Sequence, residues 1–449
     1  MDNLELIRRD LAHLWHPCTQ MQDHEWLPLI PIRRGQGVWL EDFSGRRYLD
    51  AISSWWVNLF GHCNPRINAA IQEQLYTLEH VLLAGFSHAP AINLCEQLIH
   101  LAPNGLTRCF FSDNGSSAIE IALKMSYHYW RNQGAIKKNQ FVTLSNSYHG
   151  ETLGALAVGD VALYKEIYDP LLMKVITVPA PDCFDRELDE SCEQYSARRF
   201  SLMEETLERY ADTICAVIVE PLVQCAGGMR MYDPIYLRLL RSACDRYQVH
   251  LIADEIAVGF GRTGTFFACE QAAISPDFLC LSKGLTGGYL PLAVTLTTEL
   301  IYQAFYDDYQ SRRAFLHSHS YTGNPLGCSA ALASLAIFAE DKIISRNQKL
   351  AEKMRNSCAS LSDHPHIAEI RQRGMILALE MIRDKSARIS YPWQERRGLI
   401  VYRHALERGV LLRPLGNVIY FMPPYVITPE EIDLLAQIAI EGINLATRE

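Results

Sequence analysis

Short, nearly unbroken apolar runs recur through the middle of the chain, each set apart from the next by a segment of helical length. Seven of them read as strands, at 108–112, 140–144, 174–178, 215–219, 250–254, 278–282 and 292–297. Strands apolar on both faces and alternating with helices predict a mostly parallel sheet covered on both sides. Ahead of them, Ile67, Ala70, Ile71 and Leu75, then Ile92, Cys95, Leu98 and Ile99, keep helical spacing and predict two amphipathic helices. Residues 37–50 alternate and turn at Ser44-Gly45, the pattern of a β-hairpin. After Gly323-Asn-Pro325 a long helical stretch to about residue 361 leads to strands at 375–380 and 418–423 and a last helix at 429–446. The fold class is therefore α/β, with a large domain at 61–325 and a smaller α+β domain drawn from 1–60 and 326–449.

The 449 residues carry a formal net charge of −9, with 49% apolar and 21% charged residues. This is a globular composition, and the acidic balance argues against nucleic acid, whose phosphates call for a basic face. No apolar stretch approaches the roughly 18–20 residues that span a bilayer. The first ten residues carry charges where a signal peptide would be apolar. The expectation is a cytoplasmic protein with no membrane partner. Thirteen cysteines are scattered without a C-x-x-C pair, so reduced thiols are expected rather than disulfides or metal.

In sheets of this kind ligands sit beyond the carboxyl ends of the strands, which directs attention to the residues just past each run. Asp254 lies inside the apolar stretch 250–257, and Lys283 closes another and opens the turn Gly284-Leu-Thr-Gly-Gly288. A carboxylate and an amine are costly to bury without partners. Pyridoxal phosphate would supply both, its aldehyde to the lysine and its pyridinium nitrogen to the aspartate. The period of a strand puts Asp254 and Ile256 on one face, so Ile256 can pack beneath the ring. The competing reading is a buried acid paired with an arginine, and Glu255, on the other face, suits it better than Asp254.

Other strand ends add to this picture. Asp113-Asn-Gly-Ser-Ser offers the backbone N–H groups of Gly115 and Ser116 at a helix start, suited to a phosphate. Ser117-x-x-Glu120 reads as a capping box. Tyr148 comes just after the next strand and can stack on a heteroaromatic ring, while His149, beside a glycine, reads as structural. Gly259-Phe-Gly-Arg-Thr-Gly264 matches the dinucleotide fingerprint in letters, but the acidic pair precedes it and no helix start comes after it. It reads instead as a loop holding Arg262 near the site. His317 and His319 lack the further ligands of a metal site, so their hydroxyl-rich loop is expected to support a phosphate through Ser320, and no metal is expected.

The two longest motifs, 251–264 and 276–288, together with Glu220-Pro-Leu-Val-Gln-Cys-Ala-Gly-Gly228 and His319-Ser-Tyr-Thr-Gly-Asn-Pro325, resemble the class III branch of the fold-type-I pyridoxal-phosphate-dependent aminotransferases. The resemblance covers nearly the whole chain. It implies a catalytic group of Lys283, Asp254 and Tyr148, with Lys283 as the Schiff-base lysine. It implies a cofactor held by Gly115, Ser116, Tyr148, Asp254, Ile256, Lys283 and Ser320. The last would reach the phosphate of a neighbouring subunit, and so a homodimer with shared active sites.

Within the family, Trp15-His-Pro-Cys-Thr-Gln-Met21, Ser53-Ser-Trp-Trp56 and Tyr420-Phe-Met-Pro-Pro-Tyr425 are similar to the members that aminate 8-amino-7-oxononanoate in biotin biosynthesis, with S-adenosylmethionine as donor. Trp55, Trp56, Tyr148, Lys283 and Arg413 would then meet the substrates. A class III enzyme for another ω-amine, or a lysine-using version of the same reaction, is the alternative. The chain departs from the family's pattern at Cys18, where tyrosine is common, and at Glu151, where aspartate is.

Overall fold

In a computed structural model of the chain, which describes residues 2–27, 29–187 and 189–448, all seven apolar runs are strands of one sheet. Numbered along the chain they are β1 (Leu106–Ser112), β2 (Gln140–Leu144), β3 (Ile176–Val178), β4 (Ile214–Val219), β5 (His250–Asp254), β6 (Phe278–Leu281) and β7 (Ala293–Thr298). Their order in the sheet is β1-β7-β6-β5-β4-β2-β3. β7 runs antiparallel to both of its neighbours, and the other pairings are parallel. β4, β5 and β6 are buried at every residue, as expected of central strands covered by helices on both faces.

The helix Gly115–Asn132 lies across β6 and β7 and buries Ala118, Ile119, Ile121, Ala122, Leu123 and Met125. The Thr295 hydroxyl donates to the Ala118 carbonyl at 2.9 Å and pins the helix to the sheet. Its N-cap is Asn114, whose side chain accepts from the Ser117 N–H. The capping box expected from Ser117 and Glu120 does not form. Glu120 instead accepts the N–H groups of Gly154 and Ala155, at the start of the helix Leu153–Val158, where an anion is favoured by the helix dipole.

The chain divides into two compact units. The large one comprises Arg66–Gln348 and Arg371–Ile376. It extends past the expected limit at 325 because the helix Pro325–Glu340 packs on Ala89–Leu101 and on the turn that begins at Lys283. The small unit takes the chain up to Pro65, Lys349–Ile370 and the residues from Leu377 onward. It holds the expected hairpin, Trp39–Asp42 with Arg47–Asp50, and the pairing of Leu377–Glu380 with Val418–Phe421. The last helix, Pro429–Ala446, is capped by a Thr428–Glu431 box. Among the described residues no helix is long and apolar enough to cross a membrane.

One expectation about the cysteines is overturned. Cys183 and Cys192 are joined in a disulfide, whereas every thiol was expected to be reduced. The link closes a nine-residue separation between a short turn and the start of the helix Cys192–Arg199. Their isolation in sequence concealed a proximity that the chain's fold creates.

Candidate active site

Five strand ends of the large unit carry polar groups to one edge of the sheet. β5 ends at Asp254, which is 4% exposed. Its Oδ2 accepts from His149 Nδ1 at 2.8 Å and its Oδ1 from the Ile256 N–H at 3.1 Å. His149, which reads as structural from the sequence, is bound to the buried aspartate, and among the described residues its own Nε2 is buried without a hydrogen-bond partner. β4 ends before Glu220, whose two oxygens accept the backbone N–H groups of Tyr148 and Cys225, each at 2.9 Å. Glu220 thereby fixes the loop that presents Tyr148 and His149. The sequence offered no local signal for this clamp, which joins residues 72 apart.

The helix start after β1 meets the same loop. Ser116 Oγ accepts from the Glu151 N–H at 3.1 Å, and the Glu151 carboxylate accepts from the Tyr148 hydroxyl at 3.1 Å. The longer acid at this position thus holds the aromatic side chain. A Cβ placed on Gly115 would lie 3.0 Å from Ile256 Cδ1, so a larger residue would require the Ile256 side chain to give way by a few tenths of an ångström. Gly115 and Ser116 occupy the first turn of the helix, where N–H groups lack intrahelical acceptors.

Lys283 comes after β6 in a left-handed conformation, φ 45°, at the head of the turn Lys283–Thr286. Burial holds its amine below the usual lysine range; Cys225, Asp254 and Glu220 pull it up, and Arg262 lowers it further. The same desolvation raises Glu220 to about 7, against the opposing pull of His149. Arg262, 1% exposed, is carried by the glycine run, which is a set of tight turns with no helix before Ala268. The run therefore does not open a helix, which a dinucleotide fingerprint requires. Among the described residues Glu255 has no arginine partner. Its oxygens accept the N–H groups of Ala268 and Cys269 at 2.7 and 2.8 Å, and burial raises it to about 7.

His317 and His319 contact one another through their Nε2 atoms at 3.0 Å, with Lys124 Nζ 2.8 Å from His317 Nδ1. An ammonium beside the pair disfavours a cation there. Ser320 is exposed, and its carbonyl accepts from the His80 ring. The neighbouring His319 ring lies 3.6 Å from the Asp113 carboxylate, two residues before Gly115, and among the described residues no hydrogen bond joins Ser320 itself to that helix start.

Trp55, Trp56 and Arg413 belong to the small unit. Trp56 is buried and donates from Nε1 to the Tyr420 hydroxyl at 3.0 Å. Trp55 is 39% exposed, and the Arg413 guanidinium lies 4.9 Å from its ring centroid, a cation–π arrangement. Arg413 also donates to the carbonyl of Cys18 at 3.1 Å, so position 18 contributes its backbone here.

The large-unit residues fit pyridoxal phosphate group by group. Asp254 can face a ring nitrogen and Lys283 an aldehyde, while the helix start opened by Gly115 can take a phosphate. Comparison with known proteins agrees: the family Aminotransferase class-III matches residues 20–443. The chain belongs to the class III aminotransferases. It is a transaminase, and pyridoxal phosphate is its cofactor.

The chain is 49% identical over 429 residues, 94% of each sequence, to an adenosylmethionine-8-amino-7-oxononanoate aminotransferase of Helicobacter pylori. The namesake of Geobacter sulfurreducens is 41% identical over 98% of this chain and 97% of its own. The crystal structure of the Methanocaldococcus jannaschii protein of that name superposes with a TM-score of 0.94 at 37% identity, covering all of both chains. An omega transaminase from Pseudomonas jessenii, solved in complex with PMP, gives 0.93 at 29% identity, covering 98% of each.

Proposed function

We propose that this enzyme aminates 8-amino-7-oxononanoate to 7,8-diaminononanoate with S-adenosylmethionine as the amino donor, a step of biotin biosynthesis. The observation that carries the reading is the near-full-length likeness to relatives bearing that name, at 37% to 49% identity. The small unit suits such substrates. An exposed tryptophan can receive a sulfonium or an ammonium through its ring face, and Arg413 can grip a carboxylate with a two-toothed fork.

When bound, pyridoxal phosphate supplies an electron-withdrawing ring that stabilises negative charge on the carbon losing its proton. The protein does the rest. Lys283 would hold the cofactor's aldehyde, and its Nζ would serve as general base and acid, taking the proton from the donor's α-carbon and delivering it to the cofactor's C4′. A lowered amine pKa favours the neutral form this task needs. The Asp254 carboxylate keeps the ring nitrogen protonated, and His149 holds that carboxylate in place. The N–H groups of Gly115 and Ser116 hold the phosphate. Tyr148 would stack on the ring and Ile256 would pack beneath it.

The same reading makes the enzyme a cytoplasmic homodimer in which Ser320 serves the neighbouring subunit's phosphate; the exposure of Ser320 supports the second point.

The reaction is tested by incubating the cofactor-loaded enzyme with both substrates and following 7,8-diaminononanoate by mass spectrometry. Product is expected only when both are present, and its absence would overturn the reading. In the same assay Arg413→Ala is expected to raise KM for the oxononanoate roughly ten- to a hundredfold. That is the cost of losing a charge-assisted fork, about 1.5–3 kcal/mol. Unchanged KM values would remove Arg413 from substrate recognition.

A further inference from the structure

Four consecutive residues of the small unit, Ser53, Ser54, Trp55 and Trp56, have φ values of 53°, 47°, 76° and 72°. None is glycine, and L-residues enter this left-handed region singly and reluctantly. Something must hold the turn, and the hydrogen bonds show what does. Asp50 ends the strand Arg47–Asp50 with a side chain fully removed from solvent. Its Oδ1 accepts the N–H groups of Ile52 at 3.3 Å and Ser54 at 2.9 Å. Its Oδ2 accepts the Ser54 hydroxyl at 2.7 Å and lies 3.1 Å from His62 Nε2.

His62 is oriented in turn. The Asn58 amide lies 3.1 Å from its Nδ1 and can only donate there, which leaves the proton on Nε2, facing Asp50. Two further bonds tie the turn to the residues after it in space: Ser53 Oγ donates to the Met422 carbonyl, and Trp56 Nε1 to the Tyr420 hydroxyl. Trp55 is the residue that projects from the turn, and its indole carries the Arg413 guanidinium. A continuous path therefore runs from a buried carboxylate, through a disfavoured backbone, to an exposed ring and the arginine stacked on it.

We infer that Asp50 is a positioning residue for substrate recognition: it holds Ser53–Trp56 in the left-handed turn and, through Trp55, sets the place of the Arg413 guanidinium. This rests on the reading of Arg413 as the substrate-carboxylate fork. Asp50 itself is wholly removed from solvent and acts through the turn it holds. A strained backbone kept in place by a dedicated clamp, at a residue stacked on a recognition group, is the pattern of pre-organisation.

The test compares Asp50→Asn with the double variant Asp50→Asn/Ser54→Gly. Asparagine keeps an oxygen for the N–H groups of Ile52 and Ser54 but turns a donor toward the Ser54 hydroxyl and the His62 Nε2–H, so the clamp loses its second oxygen. Glycine at 54 takes a positive φ without steric cost, and so relieves the need for a clamp. Asp50→Asn is expected to raise KM for 8-amino-7-oxononanoate about tenfold with kcat within about twofold. It should change the near-ultraviolet circular dichroism of the tryptophans and leave the visible absorbance of the bound cofactor as in the parent. The double variant is expected to recover both KM and the tryptophan signal.

Unchanged KM and tryptophan signal in Asp50→Asn would overturn the inference. So would an equal loss in kcat, or a double variant that binds cofactor normally yet shows no recovery. If Asp50→Asn does not fold, Ser54→Ala, which removes only the hydroxyl bond, should move KM and the tryptophan signal in the same direction by less; no movement would refute the clamp. The outcome separates cleanly from the reading of Arg413. A KM raised by Arg413→Ala but untouched by Asp50→Asn sinks the positioning role alone. A KM unmoved by Arg413→Ala sinks the fork, while the tryptophan signal still reports the clamp.

Discussion

Lys283→Ala is expected to abolish transamination, with a fall in kcat of at least ~10⁴-fold, the upper range of what a positioned acid–base group contributes. It is the largest effect expected of any substitution in the chain. Lys283 is asked to do two things that no neighbour duplicates: to anchor the cofactor's aldehyde and to carry a proton at Nζ. Arg262, the other cation in electrostatic reach, cannot substitute, because a guanidinium stays protonated. The variant should still bind the cofactor's phosphate at the helix start near Gly115, yet lack the visible band of the lysine-bound form. Absorbance spectroscopy and a turnover assay on the same sample check this. Retained turnover would assign the chemistry to another lysine.

Asp254→Asn is expected to lower kcat by roughly 10²–10³-fold, about 2.7–4 kcal/mol of lost electrostatic stabilisation of the reacting state. The substitution keeps the shape and an oxygen to accept from His149, so the scaffold should stand. What disappears is the negative charge that favours a protonated ring nitrogen. Steady-state kinetics, with cofactor affinity followed by titration of the apoenzyme, separate this from simple cofactor loss. A kcat within tenfold of the parent at full cofactor occupancy would show that the ring nitrogen does not depend on Asp254.

Both residues stood out in the sequence because burial of an isolated charge is costly enough to demand a partner. The same physics made the seven strands legible: runs such as Ile214–Val219 are apolar throughout, which fits a central strand and little else. The helix Pro429–Ala446 was read at its observed bounds, and Thr428 and Glu431 form the box that caps it. The strand Ile32–Gln36 was missed because it is almost entirely exposed and carries one apolar residue in five, Ile-Arg-Arg-Gly-Gln.

The candidate site was legible only as far as each residue carried its own signal. His149 meets Asp254 across 105 residues of chain, and a histidine beside a glycine says nothing about such a partner. Glu220 was seen as part of a motif, but its grip on the Tyr148 backbone depends on β2 and β4 lying side by side. The left-handed turn at Ser53–Trp56 was invisible for a different reason. Positive φ is read from glycine, and this turn has none; a carboxylate three residues upstream supplies what glycine would have. Glu255, read as an arginine partner, shows that a buried acid is as well served by backbone N–H groups at the start of a short helical turn.

The central claim concerns what donates the amino group, and one half-reaction tests it. The pyridoxal form of the enzyme is mixed separately with S-adenosylmethionine, lysine and simple primary amines, and the visible absorbance of the bound cofactor is followed. The expected result is bleaching by S-adenosylmethionine alone, with the colour restored on adding 8-amino-7-oxononanoate. Bleaching by lysine or a simple amine, with S-adenosylmethionine inert, would contradict the assignment.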